Sequence, residues 1–565
     1  MREVIEHHGP ISGIAAYADR YVATAGYDNQ VVLWDQATGR ALSRSMHDHL
    51  VNQCAFSPDG RYLVTSSSDY TARLWSVPEL DLLTVFRGAE DDVEMAVFHP
   101  TREWVATASR DFVARVHDFS GKLLREFKGH RADVVSVEWV DDGDELISSS
   151  DGGEIKRWSM ATGALVEDVG LDGVEQTDAT AVSRNVLYAG NDRGEIVVIS
   201  EQGTAQVPAH EAGVKRLLLK ADRDLLVSLS YDSTMRLWDI SETIPKNIAE
   251  TTFPVDVWPR SSAFAGESKL VFGTFGSKYR TYDYERQEWL AEEVPPTHGI
   301  NGLCVWDDHV ITVGDSGVVY RDGVPISETG SLCNFVLPTG PTILTGGQLG
   351  TVVDATDGRV LHRHHSPLNC GTTFTKDGSE HVAIGSYAGE ALVFRWEGST
   401  LVHVEDLKLH TSAIKGLVTS GDVLFSTSSD QSIAWHRITD FSELHRIEEA
   451  HERVANGCVA FDAGHFATVG RDLTLRTWTP EYECTTIRLP IRRSIRCVAA
   501  SADGDVVAIG SYDGHIARYD PRTRGLLAID RPTAAGISAM TFSSARDAFL
   551  ASSYDGQVYE IPRTV

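Results

Sequence analysis

Short apolar runs separated by polar turns recur along the whole chain at a spacing of about 40 residues. Val31-Val32-Leu33, Ala72-Arg73-Leu74 and Met235-Arg236-Leu237 have the length and composition of strands. Between the runs lie turn sequences such as Ser57-Pro58-Asp59-Gly60, Lys376-Asp377-Gly378 and Ala502-Asp503-Gly504, which punctuate secondary structure through Gly, Pro and Asp. Connections this short suit antiparallel hairpins. No long stretch carries a convincing amphipathic helical period. The pattern predicts an all-β chain.

A larger unit is superimposed on the runs. Each copy has a His near its start, a hydrophobic strand, a second strand ending at Asp and a third ending at Trp. Clear copies are His8, Asp28, Trp34; His49, Asp69, Trp75; His130, Asp151, Trp158; His210, Asp232, Trp238; and His451, Asp472, Trp478. The Asp, or what stands in its place, falls at Asp28, Asp69, Asp111, Asp151, Asp192, Asp232, Gly276, Asp315, Gln348, Ala388, Asp430, Asp472, Asp513 and Asp555. Fourteen such positions in 565 residues give about 40 residues per unit.

This register resembles the WD40 repeat family. The resemblance implies four-stranded antiparallel propeller blades. It also implies that His, a Ser or Thr, Asp and Trp hydrogen-bond to one another inside a blade. His130, Asp151, Trp158, His210, Asp232, Trp238, His451, Asp472 and Trp478 are therefore read as structural residues. A single ring of fourteen blades exceeds the usual four to eight, so the expected architecture is two tandem seven-bladed propellers, residues 1–290 and 291–565. The boundary is placed in 288–298, around Pro295-Pro296. The layout is similar to the two-propeller actin-interacting proteins and to free-standing bacterial WD40 proteins. Ring closure has two solutions. In the favoured one, residues 2–7 close the seventh blade and 287–294 close the fourteenth. In the other, 287–294 complete the seventh blade and 2–7 cross to the second ring.

Composition narrows the function. The net charge of −29, from 80 acidic against 51 basic residues, disfavours phosphate backbones and anionic membrane surfaces, which are bound by Lys and Arg. Seven cysteines, odd in number and without a Cys-x-x-Cys pair, read as buried thiols in a reducing compartment. The N-terminus lacks the apolar core of a signal peptide, and no apolar run reaches the length of a membrane span. The chain is expected to be cytoplasmic.

Several motifs imitate chemistry. Gly314-Asp315-Ser316-Gly317 matches a serine-protease nucleophile motif but sits in register with the turns after Asp28 and Asp69, and a triad is defined by geometry rather than sequence. His362, His364 and His365 form a compact group, with His47 and His49 as a smaller one. His365 stands near the repeat's expected His, so no metal or other cofactor is assigned. Asp141-Asp142-Gly143-Asp144-Glu145 lacks the ligand positions of a calcium loop. Gly346, Gly347 and Gly350 precede no helix, as a phosphate-binding loop requires.

In the family the resemblance points to, the residue before the turn Asp faces partners on one rim. Here these residues include Tyr27, Arg110, Tyr231, Tyr387, Arg471, Tyr512 and Tyr554, types that dominate interface energetics. Smaller ones are Ser68, Ser150, Asn191, Gly314 and Ser429. Arg488, Arg492, Arg493 and Arg496 add a basic cluster to an acidic chain, and the spacing to Asp513 places Arg492 where other copies have His. The chain is expected to be a non-catalytic scaffold that binds a protein or peptide, acidic or phosphorylated, on its rims. It would act as a monomer within a larger complex, with the second propeller as the main site. The competing readings are a cofactor- or metal-binding propeller enzyme, with its site in a central channel, and a sensor or accessory subunit of a multi-gene defence or biosynthetic system.

Overall fold

A computed structural model describes residues 5–140, 143–169, 177–291 and 293–564. Asp141 and Asp142 of the acidic turn, and Arg2 of the terminal segment, lie outside the described residues. Among the described residues the chain is strand and turn apart from one 3-10 helix, Ala221–Arg223, and no helix is long and apolar enough to cross a membrane. The strands form fourteen antiparallel sheets, thirteen of four strands and one of three, with strands in chain order. They are numbered 1 to 14 along the chain.

The middle strands explain the apolar runs. Tyr21–Gly26 and Leu225–Ser230 are buried at every position, because each sheet is covered on both faces. A strand with two buried faces reads as a continuous run rather than an alternation. Fourth strands such as Leu165–Asp168 are exposed throughout.

The chain divides into two compact units, Met1–Thr297 and His298–Val565. In unit 1, Ile11–Tyr17 of sheet 1 packs against Val51–Phe56 of sheet 2. First strand touches first strand onward to Val257–Ala265 of sheet 7, which returns to sheet 1. Unit 2 repeats this circuit from Ile300–Trp306 of sheet 8 to Ile537–Ser543 of sheet 14 and back. Each sheet thus covers both faces with its neighbours, which one repeat alone cannot do.

The unit break follows Thr297 rather than residue 290. Ser277 donates its N–H to the Pro295 carbonyl at 2.9 Å, and Thr297 Oγ1 donates to the Phe275 carbonyl at 2.8 Å, so the Pro-Pro stretch belongs to unit 1. The favoured ring closure is also corrected. Glu288–Trp289 pairs with Arg280–Asp283 and completes sheet 7, with the Trp289 ring 5.0 Å from both Phe272 and Tyr282. His7 donates its N–H to the Ser277 carbonyl. Sheet 14 holds three strands among the described residues, leaving Val558–Pro562 as its edge. Of the seven cysteines, Cys484 is exposed, against expectation, while Cys54, Cys304 and Cys333 are buried. Burial pushes the Cys54 thiol up to about 12.

Candidate functional site: the rim and the channel mouth

The rim is held in place by four-residue hydrogen-bonded sets. In sheet 6, His210 Nε2 lies 2.7 Å from Ser228 Oγ and its Nδ1 3.0 Å from Asp232, while Trp238 Nε1 donates to Ser228 Oγ at 2.8 Å. Sheet 12 repeats this with His451, Thr468, Asp472 and Trp478. In sheets 1 and 2 the rings are His7 and His47, bonded to Thr24 with Asp28 and to Thr65 with Asp69. His8 and His49 are not the repeat residues. In sheet 4, His130 and Trp158 both reach Ser148, at 2.7 and 2.8 Å. Its carboxylate is Glu154, 3.4 Å from His130 Nδ1, and not Asp151. Each of these rings stands four residues before its sheet's first strand, where an imidazole can bridge the loop and the turn.

Burial alone would raise the Asp472 and Asp232 carboxyls, but hydrogen bonds and charge from His451 and His210 outweigh it and hold both at about 2. An unfolded Asp titrates near 3.9. The folded values are depressed, so the stability these groups add is present above about pH 4 and fades as pH falls towards 2. In acid titrations followed by tryptophan fluorescence, wild type should lose stability across that window. Asp472→Asn should lose part of that slope, and an unchanged slope would refute the assignment.

Two backbone features fix the rim. The residue after the Asp position is left-handed: Asn29 at φ +67°, Leu473 at +62°, and Gly at 153, 317, 350 and 389, where glycine carries no Cβ penalty. The residue before the Asp position donates its N–H to the carbonyl just ahead of the first strand. Tyr27 donates to Pro10, Arg471 to Val454, Tyr512 to Ser494 and Tyr554 to Gly536, at 2.9–3.1 Å. Asp151, Asp315 and Gln348 make this same bond, to Asp133, Gly299 and Leu332. They are rim residues, and the Asp position in their sheets is Gly152, Ser316 and Leu349. Ser150 and Gly314 are therefore not on the rim set. Asn191 is displaced likewise: Gly194 N–H bonds the Asn191 carbonyl as Asn29 N–H bonds that of Gly26, so Asp192 takes the rim position. Ser316 of the protease-like motif accepts the Val318 N–H at 3.2 Å, a turn role.

The second feature is a bulge in the first strand. In unit 1 it brings Ser12, Asn52, Glu94, Val135 and Lys215 onto one cavity shared with Tyr27 and Trp258. The equivalent residues of unit 2 are Asn301, Asn334, Asn369, Lys415, Asn456, Arg496 and Ser538. The asparagines latch one sheet to the next. Asn52 donates to the Val93 carbonyl, Asn334 to Leu368, Asn369 to Ile414 and Asn456 to Ile495, at 2.6–2.9 Å. The sequence signal for these latches is an apolar residue four residues after the His position followed by Asn at five, as in His47, Val51, Asn52 and His451, Ala455, Asn456.

The two rims differ in electrostatics. In unit 1 the charges pair within the rim. Arg110 bonds Glu94 and, at 2.6 Å, Asp133, and Lys215 bonds Asp192 with its ammonium 5.3 Å over Tyr231. Tyr27 packs edge-on to Trp258 at 5.2 Å. Arg110→Ala should cost about 3 kcal/mol by leaving two half-buried carboxylates uncompensated. Urea unfolding checks this, and a loss below about 1 kcal/mol would mark Arg110 as a surface residue.

In unit 2, Arg496 lies beside Tyr512, Tyr554 and Tyr387. Burial acts to lower its pKa, and these three phenols outweigh it. Tyr512 and Tyr554 stack at 6.2 Å and 12°, and the Lys415 ammonium is 5.0 Å over Tyr387. Arg496 Nε is buried with no hydrogen-bond partner, and among the described residues Arg496 makes no ion pair. Arg492 does not stand at the His position, which is the buried Ile491. It follows one residue later and is exposed, with Arg493 and Arg471 half-buried. Arg488 ends the outer strand Cys484–Arg488, away from this cluster. A separate cavity of about 760 Å³, lined by Val310, Tyr320, Leu550 and Val558, lies at the edge of sheet 14.

Six segments match the family model "WD domain, G-beta repeat": residues 2–35, 41–76, 80–118, 121–159, 202–239 and 486–520. The chain carries WD40 repeats. The matched WD40 segments fall on sheets 1 to 4, 6 and 13. Similar WD40 relatives include the target of rapamycin complex subunit wat1 of Schizosaccharomyces pombe, 24% identical over 39% of this chain and 74% of its own length. The transcription initiation factor TFIID subunit 5 of Caenorhabditis elegans is 32% identical over 28% of this chain and 25% of its length. A guanine nucleotide-binding protein subunit beta of Arabidopsis thaliana is 28% identical over 38% and 61%. The chain thus spans a quarter to three quarters of these three relatives, and all three are named as subunits.

Proposed function

We propose that this chain is a non-catalytic recognition scaffold of two tandem seven-bladed WD40 propellers, a cytoplasmic monomer within a larger complex. Its unit 2 rim binds an acidic or phosphorylated segment of a protein partner. The observation that carries this reading is Arg496, a half-buried guanidinium whose Nε is out of reach of water and which has no carboxylate partner among the described residues, beside Tyr387, Tyr512 and Tyr554. Guanidinium recognises carboxylate and phosphate through paired hydrogen bonds, and aromatic neighbours supply rigid contact area. Arg471, Arg492 and Arg493 extend the patch, while Tyr27, Arg110 and Tyr231 serve a different ligand chemistry on unit 1, where Arg110 and Lys215 are already paired with carboxylates. The subunit names of the relatives support a role inside complexes. His7, His47, His210 and His451, with Asp28, Asp69, Asp232 and Asp472, are engaged in the blade hydrogen bonds, which favours binding over catalysis at those groups. The test is capture of partners from lysate by the full chain, identified by mass spectrometry, then affinity measurements with Arg496→Met and with Arg471→Ala combined with Arg492→Ala. Retained affinity and salt dependence in both variants would overturn the reading.

A further inference from the structure

We propose that His364, His365 and Glu390 form a binding site for a zinc-class divalent cation, which fastens sheet 10 where the usual hydrogen-bonded set is missing. One ligand atom from each residue lies within 4.8 Å of the other two. His364 Nε2 is 3.1 Å from Glu390 Oε2, and His365 Nε2 is 3.9 Å from the same oxygen. Ligand atoms on a tetrahedral zinc with bonds of about 2.0 Å stand about 3.3 Å apart, so small side-chain shifts suffice. Two imidazoles and a carboxylate leave the fourth position to water, and this nitrogen-oxygen set suits zinc.

The reason these groups converge is local. His364 stands four residues before the first strand, Leu368–Lys376, as His7, His47, His210 and His451 do in their sheets. Those rings turn Nε2 inward to a Ser or Thr hydroxyl. Sheet 10 has Ile384 at the hydroxyl position and Phe394 at the Trp position, both buried, so the ring finds no acceptor there. Its Nε2 faces Glu390 instead, and Nδ1 faces the Ser366 carbonyl at 3.1 Å. The Ser366 N–H also approaches Nδ1, at 3.2 Å; in the tautomer with its proton on Nδ1 the carbonyl holds the ring and Nε2 is left to bind a metal, as in metal-binding histidines. Sheet 4 shows the contrast: Glu154 takes the same turn position, yet His130 keeps Ser148 on Nε2. In sheet 10 the adjacent His365, half-exposed, supplies a second imidazole. The cation would join the loop entering sheet 10 to the turn that opens its third strand.

The full chain, stripped with chelator, should take up one zinc ion in competition with a chromophoric chelator, and cobalt in its place should give the intense visible bands of a tetrahedral site. Zinc should raise the unfolding temperature of wild type. His365→Gln and Glu390→Gln should each weaken zinc binding by at least about 100-fold, beyond the 10–100-fold of an outer-shell change. His8→Gln and Cys484→Ser, exposed groups elsewhere, should leave it unchanged. His365→Gln removes only a half-exposed ring, so it reports on binding even where Glu390→Gln fails to fold. No uptake by wild type at micromolar free zinc, or uptake by both variants equal to wild type, would overturn the proposal. The site is independent of the rim reading, since neither Arg496 nor its tyrosines take part.

Discussion

Thr468→Val should destabilise unit 2 by about 2–5 kcal/mol. Thr468 Oγ1 is fully buried, accepts from Trp478 Nε1 at 3.0 Å, and is hydrogen-bonded to His451 Nε2 at 2.8 Å. Valine has nearly the same shape, so packing is kept while two buried polar groups, the Trp478 N–H and His451 Nε2, lose their hydrogen-bond partner, each at about 1–3 kcal/mol. Thr468→Ser retains the oxygen and should cost far less, since Ser148, Ser228 and Ser426 hold the equivalent place in sheets 4, 6 and 11. Urea unfolding followed by tryptophan fluorescence measures the difference. Two units can unfold in separate steps, and only one transition should move. Equal losses in the Val and Ser variants would show that side-chain volume, not the hydroxyl, matters there.

Arg496→Met should weaken partner binding by at least about 30-fold, the counterpart of about 2 kcal/mol. Methionine keeps an apolar stem in the half-buried site and removes the charge, so loss of fold and loss of recognition are separable by an unfolding curve on the same sample. The exposed Arg492 contributes less alone, because water screens it. Its loss should act mainly through association rate and salt dependence. Unchanged affinity in Arg496→Met would leave this half-buried guanidinium as a structural charge, and the rim would need another anchor.

The strand order, the repeat period and most of the blade hydrogen bonds were legible in the sequence because each depends on residue type at a fixed spacing. Register within one turn was not. At Asp151, Asp192 and Asp315 an aspartate lies one residue before the position that the left-handed residue defines, and the letter alone cannot distinguish the two. A similar ambiguity, of one or two residues, exchanged His7 for His8, His47 for His49, and Ile491 for Arg492. Backbone conformation decides these cases, and glycine at 153, 194 and 317 was the available signal. Tyr387, Tyr512 and Tyr554 were legible as rim residues. Arg496 was seen only as one of a basic group, since its place on the channel follows from a bulge, and a bulge has no side-chain signature here. Of the two closures of the seventh blade, residues 2–7 or residues 287–294, the structure uses the second, through a strand of only two residues, Glu288–Trp289, too short to stand out in the sequence.

The bond that seats each rim residue uses only its backbone N–H. Tyr27, Ser68, Arg110, Gln348 and Tyr512 all make it, although their side chains share no chemistry. A neighbouring bulge residue is as permissive, taking Ser, Asn, Glu, Lys or Arg. Foldability and specificity are therefore written in different atoms of the same residue. Substitution at these positions can therefore change the surface that the rim presents without disturbing the hydrogen-bonded sets beneath it.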